Sequence, residues 1–277
     1  MSVMNFGGRS LDLSLPHVMG ILNVTPDSFS DGGSYRSLDL ALQQVDKMVS
    51  EGAAFIDVGG ESTRPGAAAV SIQEEMDRVL PIVEAIKQRF DTIVSVDTST
   101  PSVMTESAIL GAGLINDVRA LGREGAIDEA AKTGLPVCLM HMKGSPKTMQ
   151  DNTAYASVVD EVVAYLMARV GDCELSGIQR DKLILDPGIG FGKSLEHNLA
   201  LLNHTADFIK KGFPVLMGLS RKSMIGDVLD ASVDNRLYGS MGANAATYAQ
   251  GARIFRVHDV KPHVEMLELM YRIERES

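Results

Sequence analysis

Short apolar runs recur along the chain, separated by segments in which apolar residues follow a helical period. Each run is five to seven residues long and almost continuously apolar, as is typical of parallel strands covered by helices on both faces. The pattern predicts eight strands, at 17–23, 54–58, 93–97, 113–117, 136–141, 182–186, 214–218 and 253–257.

The segments between these runs carry apolar residues at spacings of three and four, which predicts helices with one buried face. Ser71 and Glu74 are expected to form a capping box, and Thr100 is expected to cap a helix that begins at Pro101. The apolar stripes predict further helices at 37–49, 72–86, 155–170, 195–202 and 260–273.

Eight repeats of strand and helix fit the ~250 residues that are typical of a closed (β/α)8 barrel, the TIM barrel fold. The alternative is a doubly wound open sheet, which would want a glycine-rich dinucleotide turn after its first strand, and none follows residue 23. Because no linker rich in Ser, Gly or Pro divides the 277 residues, we predict a single domain over 1–277.

Two connections, 24–36 and 59–70, are too long to be simple turns and are rich in Gly, Pro and Ser. Loops of this length without their own secondary structure are usually functional lids or binding loops. We therefore expect both to lie over a site at the carboxyl ends of the first two strands.

The charge balance excludes several classes of protein. The chain has 26 Lys and Arg against 36 Asp and Glu, a net charge of −10, and no basic run, so no nucleic-acid or anionic-membrane partner is expected. No window approaches the ~20 apolar residues of a membrane span, and residues 1–15 do not resemble a secretory signal. Cys138 and Cys173 are too few for a disulfide scaffold, and Cys138 is interpreted as a core residue. A cytoplasmic protein is expected.

Polar residues stand at the carboxyl end of nearly every predicted strand. In a barrel these positions point into the active-site mouth. In chain order they are Asn23, Asp57, Asp97, Asn116, Asp117, His141 and Asp186, followed by Lys222, Arg256 and His258 near the last two strands.

These side chains divide by chemistry into cations and hydrogen-bond acceptors. The cations would offset an anion with several negative charges, since Arg in particular suits phosphate oxygens; they are Arg64, Lys222, Arg256 and His258. The acceptors would match a planar heterocycle that presents adjacent N–H donors; they are Asp97, Asn116 and Asp186. Ser220 and Ser223 flank a predicted helix start, which could seat a carboxylate.

A zinc site is not expected, because the six His residues form no H-x-H or H-E-x-x-H pattern. Mg²⁺ bound mainly through substrate phosphates needs only one or two protein oxygens. Asn23 could supply one of them.

Eight motifs in the chain resemble the signatures of the dihydropteroate synthase family. They occur in the order found in that family and extend from about residue 17 to 260. The motifs are Met19–Gly33, Asp57–Gly66, Ser95–Ser99, Ile115–Val118, Met140–Pro146, Asp186–Lys193, Gly218–Ser223 and Arg256–Val260.

The resemblance implies a transferase of folate biosynthesis on a (β/α)8 barrel. Such an enzyme joins 6-hydroxymethyl-7,8-dihydropterin diphosphate to 4-aminobenzoate and releases 7,8-dihydropteroate and diphosphate. The resemblance also implies Mg²⁺ as cofactor, a homodimer formed through helices late in the chain, and competition by sulfonamides at the aminobenzoate site.

The resemblance also assigns residues to three subsites. Diphosphate would be held by Asn23, Thr63, Arg64, Arg256 and His258, and Asn23 would also contact the metal. Pterin would be bound by Asp97, Asn116, Met140, Asp186, Gly218 and Lys222. Aminobenzoate would be bound by Phe29, Thr63, Arg64, Pro65, Phe191, Ser220, Lys222 and Ser223. The residues expected to act in catalysis are Arg64, Asp97, Lys222 and Arg256.

This set of residues predicts an SN1-like displacement. The cations would stabilise charge that develops on the leaving diphosphate, and Asp97 and Asp186 would stabilise a pterin cation. Two alternatives share the pterin pocket: a methyltransferase-type barrel and a non-catalytic pterin-binding protein. The cationic set and the 59–70 loop argue against the first, and a chain of the second kind would be expected to have lost Arg64, Lys222 or Arg256.

Overall fold

The computed structural model of the protein describes residues 3–24, 34–62, 70–144, 149 and 153–276. Over these ranges the chain alternates between short strands and helices. The strands are β1 Val3–Phe6, β2 Arg9–Asp12, β3 His17–Asn23, β4 Phe55–Gly59, β5 Ile93–Asp97, β6 Leu114–Asp117, β7 Val137–Met140, β8 Leu183–Asp186, β9 Leu216–Met217 and β10 Ile254–Val257. The helices are α1 Ser34–Ser50, α2 Ile72–Arg89, α3 Pro101–Ile109, α4 Ala126–Thr133, α5 Val158–Leu175, α6 Leu195–Asn203, α7 Thr205–Ile209, α8 Ser223–Leu229, α9 Leu237–Ala249 and α10 Val260–Arg275.

Strands β3 to β10 form the predicted (β/α)8 barrel. All their pairings are parallel and each strand pairs with its neighbour in the chain, while β10 pairs with β3. A parallel bridge between Leu185 and Val215 joins β8 to the run that leads into β9 and so closes the ring. The predicted barrel is therefore confirmed, and the open sheet is wrong because the first and last strands are hydrogen-bonded to each other.

A short hairpin fills the amino-terminal end of the barrel. Strands β1 and β2 pair antiparallel, and the Phe6 ring packs edge-on against Phe55 with centroids 5.0 Å apart. One buried apolar residue from each barrel strand contributes to the same cluster as the hairpin: Met19, Phe55, Ile93, Leu114, Cys138, Ile184, Leu216 and Ile254. This hairpin is not among the predicted elements. Because it closes the amino-terminal end, the polar mouth lies at the opposite one.

The helix-start predictions are partly right. The Glu74 N–H donates to Ser71 Oγ at 3.2 Å, but the Glu74 carboxylate pairs with Arg78, so the reciprocal bond of a capping box is not made. Helix α3 does begin at Pro101, yet the Thr100 hydroxyl donates to Glu75 Oε2 at 2.6 Å instead of capping it. In both cases the side chain bonds to a charged partner instead of to the backbone at the helix start: Glu74 bonds to Arg78, and Thr100 bonds to Glu75.

Cys138 is fully buried in the barrel interior, and burial raises the pKa of its thiol well above the usual value. Its interpretation as a core residue is confirmed. Within the described ranges, every helix is too short or too polar to cross a lipid bilayer.

Candidate active site

The carboxyl ends of the parallel strands bring several polar side chains to one mouth. In the strand register, Gly59 of β4 lies opposite Asp97 of β5, which in turn lies opposite Asn116 of β6. Met140 of β7 lies opposite Asp186 of β8. The sequence-predicted acceptors therefore share one end of the barrel.

Arg256 on β10 joins the cationic and acceptor sets directly. Its Nε donates to Asp57 Oδ2 at 2.5 Å, and its Nη2 donates to Asp97 Oδ2 at 2.9 Å. Burial raises the pKa of Asp97 to about 7; the Arg256 cation opposes this shift, and the carboxylates of Asp57, Asp117 and Glu61 add to it. One guanidinium thus holds together two carboxylates that would otherwise repel each other.

Asp57 makes more contacts in the site than its place among the strand-end residues predicts. Its carboxylate is fully buried and accepts from Ser95 Oγ at 2.5 Å and from Asn116 Nδ2 at 3.3 Å, besides its bond to Arg256. Asp57 therefore orients Arg256, which is predicted to bind diphosphate, and Asn116, which is predicted to bind pterin. The sequence does give a sign of this role, because Asp57 is the single charged residue in the apolar run 54–58.

Asp186 at the end of β8 and Lys222 after β9 form a second wall of the mouth. Asp186 is buried, and its Oδ1 accepts from the Gly188 N–H at 2.7 Å. Burial raises the pKa of Asp186, whereas the Gly188 N–H and the Lys222 ammonium oppose the rise. Burial also lowers the pKa of Lys222 to about 8 against the opposing effect of Asp186. The Lys222 Nζ lies 4.1 Å from the centre of the Phe191 ring, a cation–π contact.

Apolar and open surface completes this wall. Met140 is buried in a small cluster against which Phe191 packs. A Cβ at Gly218 would meet no atom within 4 Å, so the backbone there borders open space. Such surfaces can receive the flat face of a heterocycle.

Ser220 and His258 are in contact at the ends of the last two barrel strands. The His258 backbone N–H donates to Ser220 Oγ at 3.2 Å, and His258 Nδ1 lies 3.0 Å from the same oxygen. Helix α8 begins at the exposed Ser223, at the predicted helix start. Arg221 pairs with Asp259 at 2.6 Å and so ties these two loops together.

Four predicted site residues, Phe29, Thr63, Arg64 and Pro65, lie outside the described residues. The start of the second long loop is described and is firmly anchored. Glu61 accepts from both terminal nitrogens of Arg119 at 3.1 Å, and Arg78 donates to the Gly60 carbonyl at 2.9 Å.

Asn23 ends β3 at the mouth with an exposed side chain. Its amide oxygen is a hard donor of the kind that Mg²⁺ accepts. No group of three or more His, Cys, Asp and Glu side chains placed to hold a metal occurs among the described residues. The exposed Asn23 oxygen fits a Mg²⁺ ion held mainly by substrate phosphates, which needs only one or two protein oxygens.

Comparisons with known proteins agree with this geometry. A family model described as pterin binding enzyme matches residues 19–258. The dihydropteroate synthase of Escherichia coli strain K12 is 56% identical over 95% of this chain and 93% of its own length. The chain belongs to the dihydropteroate synthase family. The Haemophilus influenzae dihydropteroate synthase is 54% identical over 94% of this chain and 95% of its own length.

Solved structures of dihydropteroate synthases have the same fold. The Yersinia pestis enzyme in complex with a sulfonamide drug superposes with a TM-score of 0.94 at 52% identity, covering 99% of both chains. The Xanthomonas albilineans enzyme with 4-aminobenzoic acid gives a TM-score of 0.93 at 43% identity, covering 99% of this chain and 98% of that one.

Membership in the dihydropteroate synthase family confirms the function expected from the motifs. The chain is a pterin-binding transferase of folate biosynthesis. These identities favour the synthase over the methyltransferase-type and non-catalytic barrels that the sequence left as alternatives.

Proposed function

We propose that the barrel mouth joins 6-hydroxymethyl-7,8-dihydropterin diphosphate to 4-aminobenzoate through a dissociative, SN1-like displacement carried out by the residues described above. The observation that carries this proposal is the hydrogen bond of Arg256 to Asp97. It joins a member of the cationic set to a member of the acceptor set, as a site for a pterin attached to a diphosphate requires.

The pterin would be bound between the acceptors on β5, β6 and β8. Asp97, Asn116 and Asp186 would accept its ring N–H groups, and a carboxylate that faces two such donors gains charge-assisted bonds. Lys222 would donate to a ring acceptor, while Met140 and Gly218 would border its face. The burial of these groups supports the assignment, because hydrogen bonds are stronger where water is excluded.

The diphosphate would lie beside Arg256, His258 and Asn23, with Thr63 and Arg64 reaching it from the second loop. Arg256 Nη1 makes no hydrogen bond with the described residues, so it can donate to a phosphate oxygen while the other two nitrogens keep their carboxylates. Asn23 would help to hold Mg²⁺, which when bound supplies further positive charge to the diphosphate oxygens.

The aminobenzoate would occupy the space beside Phe191 and Lys222. Its carboxylate would meet Ser220 and Ser223 at the start of α8, and Phe29, Thr63, Arg64 and Pro65 would complete the site. The relatives bound to 4-aminobenzoic acid and to a sulfonamide drug support this subsite. We propose that sulfonamides compete for it in this protein as well.

In the reaction, the bond between the exocyclic methylene and the diphosphate oxygen breaks, and both electrons leave with the diphosphate. Arg256, His258 and Arg64 stabilise that charge as it develops, which lowers the barrier. Asp97 and Asp186 stabilise the cation that is left on the pterin. The aryl amine then adds its lone pair to the methylene carbon and loses one proton to solvent. No strong general base is needed.

A direct assay tests the activity. The protein is incubated with the pterin diphosphate, 4-aminobenzoate and Mg²⁺, and dihydropteroate is expected as product. Bridging ¹⁸O in the pterin diphosphate is also expected to move to non-bridging positions when 4-aminobenzoate is withheld, because the cation can recapture diphosphate. Condensation without any such exchange would contradict the dissociative pathway, and absence of condensation would contradict the activity.

The kcat/KM for pterin diphosphate is expected to follow a bell-shaped pH profile. Activity rises with pH as Asp97 and Asp186 ionise. This acid limb lies at a higher pH than for an ordinary Asp, because the pKa of Asp186 is raised and that of Asp97 is about 7. It falls as pH passes about 8, where Lys222 loses its proton. In a Lys222→Arg variant the alkaline limb should become shallower, because guanidinium stays charged; an unchanged limb would assign it to another group.

We further propose a homodimer, a single domain over 1–277 and a cytoplasmic location. The dimer is supported by large apolar side chains that lie exposed on helices α6, α8 and α9 and in the segment between the last two: Leu199, Val228, Leu229, Val233 and Tyr238. Sedimentation equilibrium checks it, and a monomer at micromolar concentration would contradict it. The two buried free thiols support a reducing compartment.

A further inference from the structure

Lys193 places an ammonium group inside the protein, and no carboxylate of the described residues lies within ion-pair distance of it. It is 4% exposed and lies in the loop between β8 and α6. Four acceptors surround its Nζ, namely the carbonyl oxygens of Gly188 at 2.7 Å, Phe191 at 3.0 Å and His141 at 3.3 Å, and His141 Nδ1 at 2.9 Å. Burying a charge costs free energy unless the group is fully hydrogen-bonded. These four acceptors therefore explain how an ammonium group can be buried at this position.

The loop is folded around this ammonium. Gly188, Gly190 and Gly192 have φ of +68°, +83° and +66°, in the left-handed region that favours glycine. A Cβ at Gly188 would lie 1.8 Å from the His141 carbonyl oxygen, so no other residue fits there. The loop therefore directs its carbonyl oxygens inward onto Nζ.

His141 completes the shell from β7. Because Lys193 donates to Nδ1, the neutral ring must carry its proton on Nε2. Burial and the adjacent Lys193 lower the pKa of His141 to about 3. The ring also packs at right angles against Tyr165, with centroids 4.9 Å apart. The ammonium thus links the end of β7 to the loop after β8.

The same loop contacts one group of the proposed site and carries another. Asp186 accepts from the Gly188 N–H, and Phe191 lies under the Lys222 ammonium. We propose that Lys193 is a positioning residue whose ammonium acts as a built-in cation: it fixes loop 187–193 and thereby orients Asp186 and Phe191 before the pterin binds. This inference rests on the proposed function, in which Asp186 is a pterin acceptor.

Lys193 also acts on Asp186 through its charge. The cations of Lys222, Lys193 and Arg256 all face Asp186, and the carboxylates of Asp57 and Asp97 lie across the same barrel interior. Removing one of the three cations is expected to raise the pKa of Asp186 further. Because burial lowers the pKa of Lys193 to about 7, folding disfavours this charge, and the fold should tolerate a neutral side chain.

The test compares Lys193→Met with Lys182→Met. Lys182 precedes β8 at the opposite end of the barrel and donates to a single carbonyl, that of Gly134, at 2.7 Å. For Lys193→Met, we expect KM for pterin diphosphate to rise about tenfold or more, with a smaller change in kcat. The acid limb of its kcat/KM profile should move to higher pH, which loss of packing alone would not cause. An unchanged KM and acid limb, or equal effects in Lys182→Met, would overturn the inference.

A parallel measurement on Asp186→Asn tests the proposed pterin site separately from the role of Lys193. If Asp186→Asn leaves KM for pterin diphosphate unchanged, the proposed site is wrong. If it raises KM while Lys193→Met does not, only the role of Lys193 is wrong. Should Lys193→Met fail to fold, ¹⁵N NMR of histidine in the unaltered protein decides, with His141 identified by His141→Gln. We expect the Nε2–H tautomer from about pH 5 to about 7, where Lys193 carries its charge; titration near the ordinary value of 6.5 would refute the geometry.

Discussion

Replacing Arg256 by alanine is expected to lower both the stability of the fold and the rate of turnover. The substitution leaves Asp57 and Asp97 facing each other without the guanidinium that bonds to both, at 2.5 and 2.9 Å. Breaking a buried ion pair by removing one partner costs about 3–5 kcal/mol. Loss of a donor to the leaving group should lower kcat by a factor of about 100 or more. Denaturant unfolding and steady-state kinetics measure the two effects.

A second substitution separates the structural effect from the catalytic one. In Arg256→Met combined with Asp57→Asn, the fully buried carboxylate is neutralised together with its counter-charge. We expect this double variant to recover most of the lost free energy of unfolding, yet to remain as slow as Arg256→Ala. Recovery of turnover would show that the guanidinium serves only to neutralise the carboxylates and does not act on diphosphate.

The barrel strands could be predicted because a closed parallel barrel buries both faces of each strand. Apolar runs such as 137–140 and 183–186 then have no polar alternation to confuse them with a surface strand. The hairpin β1–β2 is too short for such a run. The sequence sign of the hairpin is that apolar Met4 and Phe6 stand on either side of polar Asn5 and are followed by Gly7-Gly8, a pair typical of hairpin turns. Met4 and Phe6 are indeed buried.

The residue types at the mouth followed from the strand ends, but their pairing did not. Arg256 and Asp57 are 199 residues apart and meet only because β10 and β4 flank β3 in the closed ring. The register of the barrel decides such contacts, and no local pattern encodes it. Lys193 shows the same limit, since a lysine after a glycine-rich loop gives no sequence sign that its ammonium will be buried.

At the barrel mouth, a group needed for ligand binding lowers the stability of the fold. Burial raises the pKa of Asp186, which means that folding disfavours its ionised form. The protein retains a carboxylate there at a cost to its own stability, and such a cost is typical of a group kept for a ligand.

Asp186→Asn is accordingly expected to weaken pterin binding without weakening the fold. Losing a charge-assisted hydrogen bond costs about 1.5–3 kcal/mol, so KM for pterin diphosphate should rise about 10- to 100-fold. The asparagine oxygen can still accept from the Gly188 N–H, so the loop keeps this contact. Because the pKa of Asp186 is higher in the folded than in the unfolded state, the variant should be the more stable at neutral pH. That difference should vanish below about pH 4, where the carboxyl is protonated in both states.

Asp117→Asn is the matched control, with the same substitution at the same end of the barrel. Asp117 accepts from the Arg119 N–H with one oxygen at 2.8 Å and from the Leu121 N–H with the other at 2.7 Å, so it serves the turn after β6. Asparagine cannot accept with both atoms, so this variant should gain no stability, and KM for pterin diphosphate should stay within about twofold. If Asp186→Asn instead destabilises the protein and leaves KM unchanged, Asp186 supports the fold and the pterin is bound elsewhere.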